Sequence, residues 1–467
     1  MISKSARNNF TNIIILLILA TGAWLRADWY GDLRLSIANA ETRSYIDSSR
    51  APLLSWKIFS GKRLFTTNII FKAANDAQNC PVTAYSTPAI GLEEFRATQD
   101  CFDKIALLQN ILAIFGWSFL AWTTSRRMQN PFTKVIAATV VMLFGFTPQI
   151  AEWDSILSPE SLSVSMFAIA LGLVQETVFR AAESERPFDS RREWLLLTSC
   201  VVVFLLWVFV RDVHLYALPT TLALMAPLFL LKKFRSTKIF AITVAVLFLF
   251  FIVGFLSARD SLRATRYPVI NSLDAYIWPH PRRVEYFRAF GMPERTSPSY
   301  QEWADVSATK AYGLFLISHP GFVTATVWEY IDHFDSDFVQ PYFVTSNVKH
   351  RDALLIIGRM LHPETLAVYL VDLLLLLTLI LAAGQLRTPS SSAWAWLALW
   401  FFSIAAITLL LGFFGDTAGT RRHIMPSVEL LRLFMWIFLI QQLDAFLAPA
   451  AQKDTQLHAD NPVTQSK

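Results

Sequence analysis

Ten apolar stretches recur along the chain, each close to the length a helix needs to cross a lipid bilayer. They cover 12–29, 105–122, 135–150, 162–179, 194–210, 215–231, 239–256, 366–383, 394–414 and 424–443. A hydrocarbon core of about 30 Å takes roughly 20 helical residues. Each stretch therefore predicts a transmembrane helix, and the fold class is an all-α polytopic membrane protein. Composition agrees, since 54% of the 467 residues are hydrophobic and only 16% are charged. A soluble domain carries about 25% charge to cover its surface. The 37 Phe and 15 Trp suit a lipid-facing surface with interfacial anchors. Disordered, collagen-like, coiled-coil and disulfide-knot classes are excluded. Trp24 and Arg26 interrupt the end of the first stretch and no small-residue cleavage site follows, so it reads as a retained span.

The basic residues predict the orientation. One set of connections holds Lys4, Arg7, Arg126, Arg127, Lys134, Arg180, Arg186, Arg191, Arg192, Lys232, Lys233, Arg235, Lys238 and Arg387; the opposite set holds only Arg211, Arg421 and Arg422. Cationic loops stay inside, which puts both termini in the cytoplasm of a multi-pass protein of the plasma or inner membrane. The net charge of +5 records this bias and gives no reason to expect nucleic acid. Two long segments, 30–104 and 257–365, then lie outside. The expected organisation is a transmembrane module over 1–256 that includes the first outer loop, a cap over 257–365, a three-helix module over 366–448, and a disordered tail over 449–467. Stretches 51–59 and 312–322 have the apolar content of surface helices. Cys80 and Cys101 share the first outer segment, where an oxidising compartment permits a bridge without requiring one. Cys200 falls inside a span and reads as packing.

Acids and bases concentrate at the outer helix ends. The connection after the third span carries Asp154 and Glu160, the tight link 211–214 carries Arg211, Asp212 and His214, and the last connection carries Asp416, Arg422 and His423. The plain reading is a set of solvated loops with local ion pairs, such as Arg211 with Asp212. The functional reading is a catalytic chamber at the outer leaflet, favoured for the set as a whole because ionisable groups near the membrane are costly and usually have a role. Asp32, Glu41 and Asp47 lie beyond the first span, close in sequence to Arg50. A carboxylate there suits a general base that takes a proton from an acceptor hydroxyl. Arg and His side chains suit a phosphate leaving group. Deeper in the spans, Asp372 stands alone, while Glu429 and Arg432 sit three apart on one face, as a pair. Asp335 and Asp337 form a short oxygen-rich spacing, the candidate site for a divalent cation such as Mg or Mn.

Several of these residues carry a family resemblance. Glu41-Thr42-Arg43-Ser44-Tyr45, followed by Arg50-Ala51-Pro52, resembles the acidic-x-x-x-Tyr…Arg-x-Pro pattern of the GT-C class of polytopic glycosyltransferases, of the bacterial mannosyltransferase-like kind. Trp153 with the run 156–163 resembles the element entering that family's fourth span, and Asp416 with Arg422-His423 and Pro426 resembles its late Asp…Arg-His pattern. The first-loop acid of the family is usually Asp, whereas this chain has Glu41, so Asp47 and Asp32 remain alternatives. Gly419 stands where some relatives carry another acid.

The resemblance implies a helical bundle whose outward cavity takes a polyprenyl-phosphate-linked sugar donor from the membrane lipids and a glycan, lipid or protein acceptor. It makes Glu41 the base and places Tyr45, Arg50, Asp154, Glu160, Asp212 and Asp416 around the substrate. Arg211, His214, Arg422 and His423 would neutralise the phosphate, and direct displacement would invert the anomeric carbon. Two rivals share parts of this pattern. One is a surface-polysaccharide polymerase or ligase that relies on outer Arg and His; the other is a lipid or solute transporter, which predicts mid-membrane polar sites and repeated halves. No internal repeat is evident.

Overall fold

The computed structural model describes residues 4–39, 41–74, 80–82, 98–184, 190–263, 265–340 and 348–447. The expected tail over 449–467 lies outside them. Ten helices build the bundle: α1 (Lys4–Trp29), α2 (Asp103–Arg127), α3 (Pro131–Phe146), α4 (Pro159–Glu183), α5 (Arg191–Val208), α6 (Ala217–Met225), α7 (Lys238–Asp260), α8 (Ala367–Leu386), α9 (Pro389–Gly415) and α10 (Thr420–Leu447). Among the described residues eight segments are long and apolar enough to cross a membrane, or nine if one bent pair counts as a span. Two of the ten expected crossings depart from the sequence reading. The third is broken where Thr147 and Pro148 follow α3, and its axis bends by 49° into Pro148–Ser155. Proline lacks the N–H that would continue the ladder. The fifth is the 18-residue α5, whose first three positions are Arg191, Arg192 and Glu193, so its apolar length is short.

Local signals place the helix starts. Asn130 accepts the Phe132 N–H ahead of Pro131, Ser190 and Glu193 form a reciprocal cap on α5, and Thr388 does the same with Ser391 on α9. These side chains satisfy donors that a helix leaves open at its first turn. The surface stretches are less continuous than expected. Only Lys57–Ser60 of 51–59 is helical, and 312–322 is divided at His319 between Thr309–Ser318 and Pro320–Glu329.

Helices α2 and α4 form the centre, with α3, α5 and α9 packed around them. The approach of α2 to α4 depends on a missing side chain. A Cβ on Gly116 would lie 2.6 Å from the Ser165 carbonyl oxygen, and small residues of this kind let membrane helices meet closely. Several buried polar side chains pair with one another across the bundle, whereas Asp372 in α8 keeps both carboxylate oxygens without a hydrogen-bond partner among the described residues. Arg26 of α1 donates to Asn110 (2.8 Å), to the Ala151 carbonyl (2.8 Å) and to Asp154 (3.1 Å). In α10, Glu429 takes Arg432 at 2.6 Å and His362 at 2.5 Å.

Three strips of connecting backbone are joined to one another. The Ile37 N–H donates to the Ser155 carbonyl (2.8 Å), the Leu157 N–H donates to the Ile37 carbonyl (2.9 Å), and the Gln99 N–H donates to the Ser36 carbonyl (2.8 Å). The disulfide between Cys80 and Cys101 closes the same loop. This stitching sets the first outer loop directly over the start of α4.

Gly116→Val should lower the thermal midpoint of the detergent-solubilised protein, because overpacking a close helix contact costs about 1–3 kcal/mol. An unchanged midpoint by differential scanning calorimetry would show that α2 and α4 do not meet as described.

Candidate active site

Five backbone positions converge at one end of the bundle. Glu41 follows the stitched strip and caps the helix Thr42–Ser49, its own N–H held by Asn39 at 2.9 Å. Thr42 donates to the Leu157 carbonyl (2.9 Å), which fixes that helix above α4. Glu160 lies in the first turn of α4, after Pro159. Arg63 precedes the helix Phe65–Ala74, Arg211 occupies the turn after α5, and Arg422 and His423 stand in the first turn of α10.

Arg422 connects the two acids. Its Nη2 donates to Glu41 Oε1 at 2.6 Å, while its Nε lies 3.6 Å from Glu160 Oε1. On the other side Arg63 Nη2 meets Glu41 Oε2 at 3.0 Å. Arg63 also donates to Tyr45 Oη (3.1 Å) and Ser44 Oγ (2.8 Å) and lies over the Tyr45 ring at 4.1 Å. Tyr45 in turn donates to Glu41 Oε2 (3.3 Å). Arg211 donates from Nη2 to His423 Nδ1 (2.8 Å), and its Nη1 is 3.7 Å from Glu160 Oε1. His423 Nε2 donates to the Ala418 carbonyl (2.9 Å) and lies 3.6 Å from Asp416 Oδ2. These neighbours assign His423 as the neutral Nε2–H tautomer.

Access is graded. The side chains of Glu41, Arg63 and Arg422 remain 21–29% exposed, whereas Glu160 and Arg211 are buried. Three guanidinium groups face the Glu41 and Glu160 carboxylates, and a third carboxyl, Asp416, stands behind His423. Within this cluster, Arg211 Nη1 and Glu160 Oε2 are buried and meet no hydrogen-bond partner. An unsatisfied buried guanidinium nitrogen is costly and matches an anion in its planar fork. The electrostatics follow from the pairing. Burial acts to raise the Glu41 carboxyl, but Arg422 and Arg63 outweigh it and hold it near 2. Asp416, by contrast, is pushed up by its burial, against hydrogen bonds from Asn271 and the Ala418 N–H.

The donor set does not fit a divalent cation. Both Glu41 oxygens already meet guanidinium or hydroxyl donors, and Glu160 faces Arg211 and the same Arg422. Among the described residues no three His, Cys, Asp or Glu side chains gather as ligands. Asp337 instead accepts the Val339 N–H at 3.1 Å, and Asp335 gains no companion ligands.

Of the residues expected at the site, the structure brings together Glu41, Tyr45, Glu160, Arg211, Asp416, Arg422 and His423. The others go elsewhere for identifiable reasons. Asp47 points outward to Arg43 (3.9 Å) and Arg50 (3.1 Å) on its own helix, and Arg50 also donates to the Cys80 carbonyl. Asp32 accepts the Arg34 N–H in an exposed turn. Asp212 pairs with Arg263 at 2.9 Å rather than with Arg211. His214 is buried and stacked on Trp207 at 4.5 Å, away from the anion groups. Asp154 is fully buried against Arg26 and Ser161 and lines no accessible space. Arg63 was missed as a site residue. Its only sequence signal is a cation placed just before the apolar helix Phe65–Ala74. His362, which holds Glu429, has no local signal.

No family model matches the chain, and no curated protein matches it. Among solved structures it is similar to the archaeal oligosaccharyltransferase AglB from Archaeoglobus fulgidus in complex with an inhibitory peptide and a dolichol-phosphate, at 14% identity and a TM-score of 0.41, over 98% of this chain and 52% of that one. The apo form of the Archaeoglobus fulgidus oligosaccharyltransferase gives 12% identity and a TM-score of 0.45, over 95% and 52% of the two chains. Its complex with Zn and sulfate gives 12% and 0.42, over 96% and 51%. The chain spans about half the length of these structures.

The Glu41 pairing has a defined pH signature. A carboxyl held near 2 in the folded protein, against 4.5 when free, stabilises the fold fully above pH 4.5 and loses that contribution as pH falls toward 2. The difference in thermal midpoint between wild type and Glu41→Gln should therefore be flat from about pH 5 to 8 and shrink below about pH 4. A difference that already shrinks between pH 7 and 5 would contradict the two-arginine clamp.

Proposed function

We propose that this protein is a membrane glycosyltransferase of the GT-C kind, which moves a sugar from a polyprenyl-phosphate donor to an acceptor hydroxyl on the extracytoplasmic side. The observation that carries the reading is Arg422 shared between Glu41 and Glu160, beside an Arg211 nitrogen that has no hydrogen-bond partner and lies 3.7 Å from Glu160. That combination sets an anion-accepting pocket next to a carboxylate. The cluster lies at the end of the bundle opposite the basic connections, and the Cys80–Cys101 disulfide lies in the first outer segment. Both support termini in the cytoplasm and a site facing an oxidising compartment.

In this reading the donor phosphate engages Arg211 and Arg422, drawing Arg422 away from Glu41. Losing that guanidinium raises the proton affinity of Glu41, which then takes the acceptor proton. The acceptor oxygen forms a bond to the anomeric carbon as the bond from that carbon to the phosphate oxygen breaks. The polyprenyl phosphate leaves with the electron pair, stabilised by the same arginines, and the anomeric configuration inverts. His423 orients Arg211, and the Ala418 carbonyl holds His423.

A second reading is favoured by one observation. Glu41 held near 2 is a weak base in the resting site, which suits a surface-polysaccharide polymerase or ligase whose arginines perform the main work. Transfer from a panel of radiolabelled polyprenyl-phosphate sugars by the purified protein separates the two. Under the proposed mechanism Glu41→Gln lowers kcat about 10²–10⁴-fold, and Arg211→Ala lowers it about 10²–10³-fold. Asp47→Asn should stay within about twofold of wild type, as expected for a surface change away from such features. Full activity in Glu41→Gln moves the assignment to the second reading, and full activity in Arg211→Ala removes both.

Arg422→Lys should restore little of what Arg422→Ala loses, because an ammonium cannot reach both carboxylates as the planar guanidinium does. Equal activity of the Lys variant and wild type would show that only charge matters at this position.

A further inference from the structure

A second site lies at the opposite end of the bundle. Helices α4, α5, α6, α7 and α9 enclose a cavity of about 530 Å³. Its origin is local. After Met225, α6 gives way to a 3-10 run, Ala226–Leu230, which contains Pro227, and then to the short helix Lys232–Arg235. The tighter, interrupted backbone leaves a wedge that the neighbouring helices do not fill. Cys200, Phe204, Phe240 and Trp400 line its wall, while Lys233 and Arg387 line it at the polar end.

Protein interiors hold few voids larger than a water molecule, and an apolar cavity does not retain water. Inside a bilayer the available filler is a hydrocarbon chain. The cations specify the headgroup. Lys233 donates to the Ala181 and Ser184 carbonyls, which leaves one of its three N–H donors. Arg387 is exposed, and its side chain donates from Nε to the Gly384 carbonyl at 3.4 Å. Lys232, Arg235 and Lys238 add charge nearby. Basic pockets between helices on this side of a membrane suit anionic lipid headgroups.

We propose that this cavity holds one acyl chain of an anionic glycerophospholipid from the leaflet facing the basic connections, with its phosphate on Lys233 and Arg387. The chain of the sugar donor is a poorer occupant. Along α4 the 17 residues from Glu160 to Thr177 separate the two sites by about 25 Å, and a donor with its phosphate at Arg211 brings only a neutral tail to this end.

Native mass spectrometry of the full-length protein, released from nanodiscs of mixed phosphatidylglycerol and phosphatidylcholine, tests this independently of any transferase activity. One phosphatidylglycerol should be retained in preference to phosphatidylcholine. The double variant K233Q/R387Q should weaken that preference about thirtyfold, at about fivefold for each cation, with the thermal midpoint in phosphatidylcholine unchanged. Cys200→Phe, which fills the wall, should reduce retention of either lipid. Equal retention of the two lipids by wild type, an unaltered preference in K233Q/R387Q, or a polyprenyl phosphate as the retained species would each overturn the proposal.

Discussion

The guanidinium of Arg422 is the contact on which this end of the bundle depends. It binds Glu41 at 2.6 Å and approaches Glu160 at 3.6 Å. It thereby joins the first outer loop, the start of α4 and the start of α10, elements separated by more than a hundred residues in each case. Arg63 and Arg211 complete the balance from the other sides. Glu41 pairs with Arg63 inside the connection after α1, whereas Glu160, Arg211 and Arg422 meet their partners across separate segments. If any of the three segments shifted by one helical turn, a buried charge would be left without its counterpart, which is strongly destabilising. The same arrangement leaves one buried Arg211 nitrogen without a hydrogen-bond partner inside the cluster.

A different set of ion pairs supports that end from within. Arg26 reaches across from α1 to Asn110, the Ala151 carbonyl and Asp154, and holds the bent connection after α3 in place. Glu152, in the same connection, takes Arg351 at 2.7 Å and the Gln340 N–H at 2.9 Å. Arg432 donates to the Ser336 carbonyl, and Arg421 to the Asp337 carbonyl. The extended segment around residues 336–340 is therefore gripped by side chains from several helices. In a low-dielectric interior such groups must find partners in the protein, and here the partners lie on separate segments. Polar residues that the hydropathy pattern merely tolerates become the pins that hold the outer layer over the bundle.

How much of this was legible differs from residue to residue. Glu41 and Tyr45, four apart, read as one face of a short helix, and Glu160 after Ser158-Pro159 reads as a helix start; both are local patterns that survive in the fold. Asp154 and Glu160 were indistinguishable in the sequence, being six residues apart in one acidic connection. A 3-10 turn at Glu152–Ser155 directs Asp154 inward to Arg26, while Glu160 remains with the cluster. Arg211 and His214 parted in the same way, because the turn carries His214 under Trp207. Arg63 and His362 could not be found, since neither side chain meets a sequence neighbour: Arg63 reaches back 18 or more residues to Glu41, Ser44 and Tyr45, and His362 meets Glu429 of α10.

Hydropathy and charge bias are sums over neighbouring residues, so the sequence alone settled the all-α membrane class, the placement of most apolar helices, and which helix ends bear the cations. Which acid meets which base is another kind of quantity. It depends on distances between atoms of a few ångströms, and those distances are set by how α2 packs on α4, where the third span breaks, and how the backbone at Ile37 is tied to residues 155–157. Only the tertiary structure decides these, because packing and pairing are properties of segments brought together, and no stretch of chain holds them by itself.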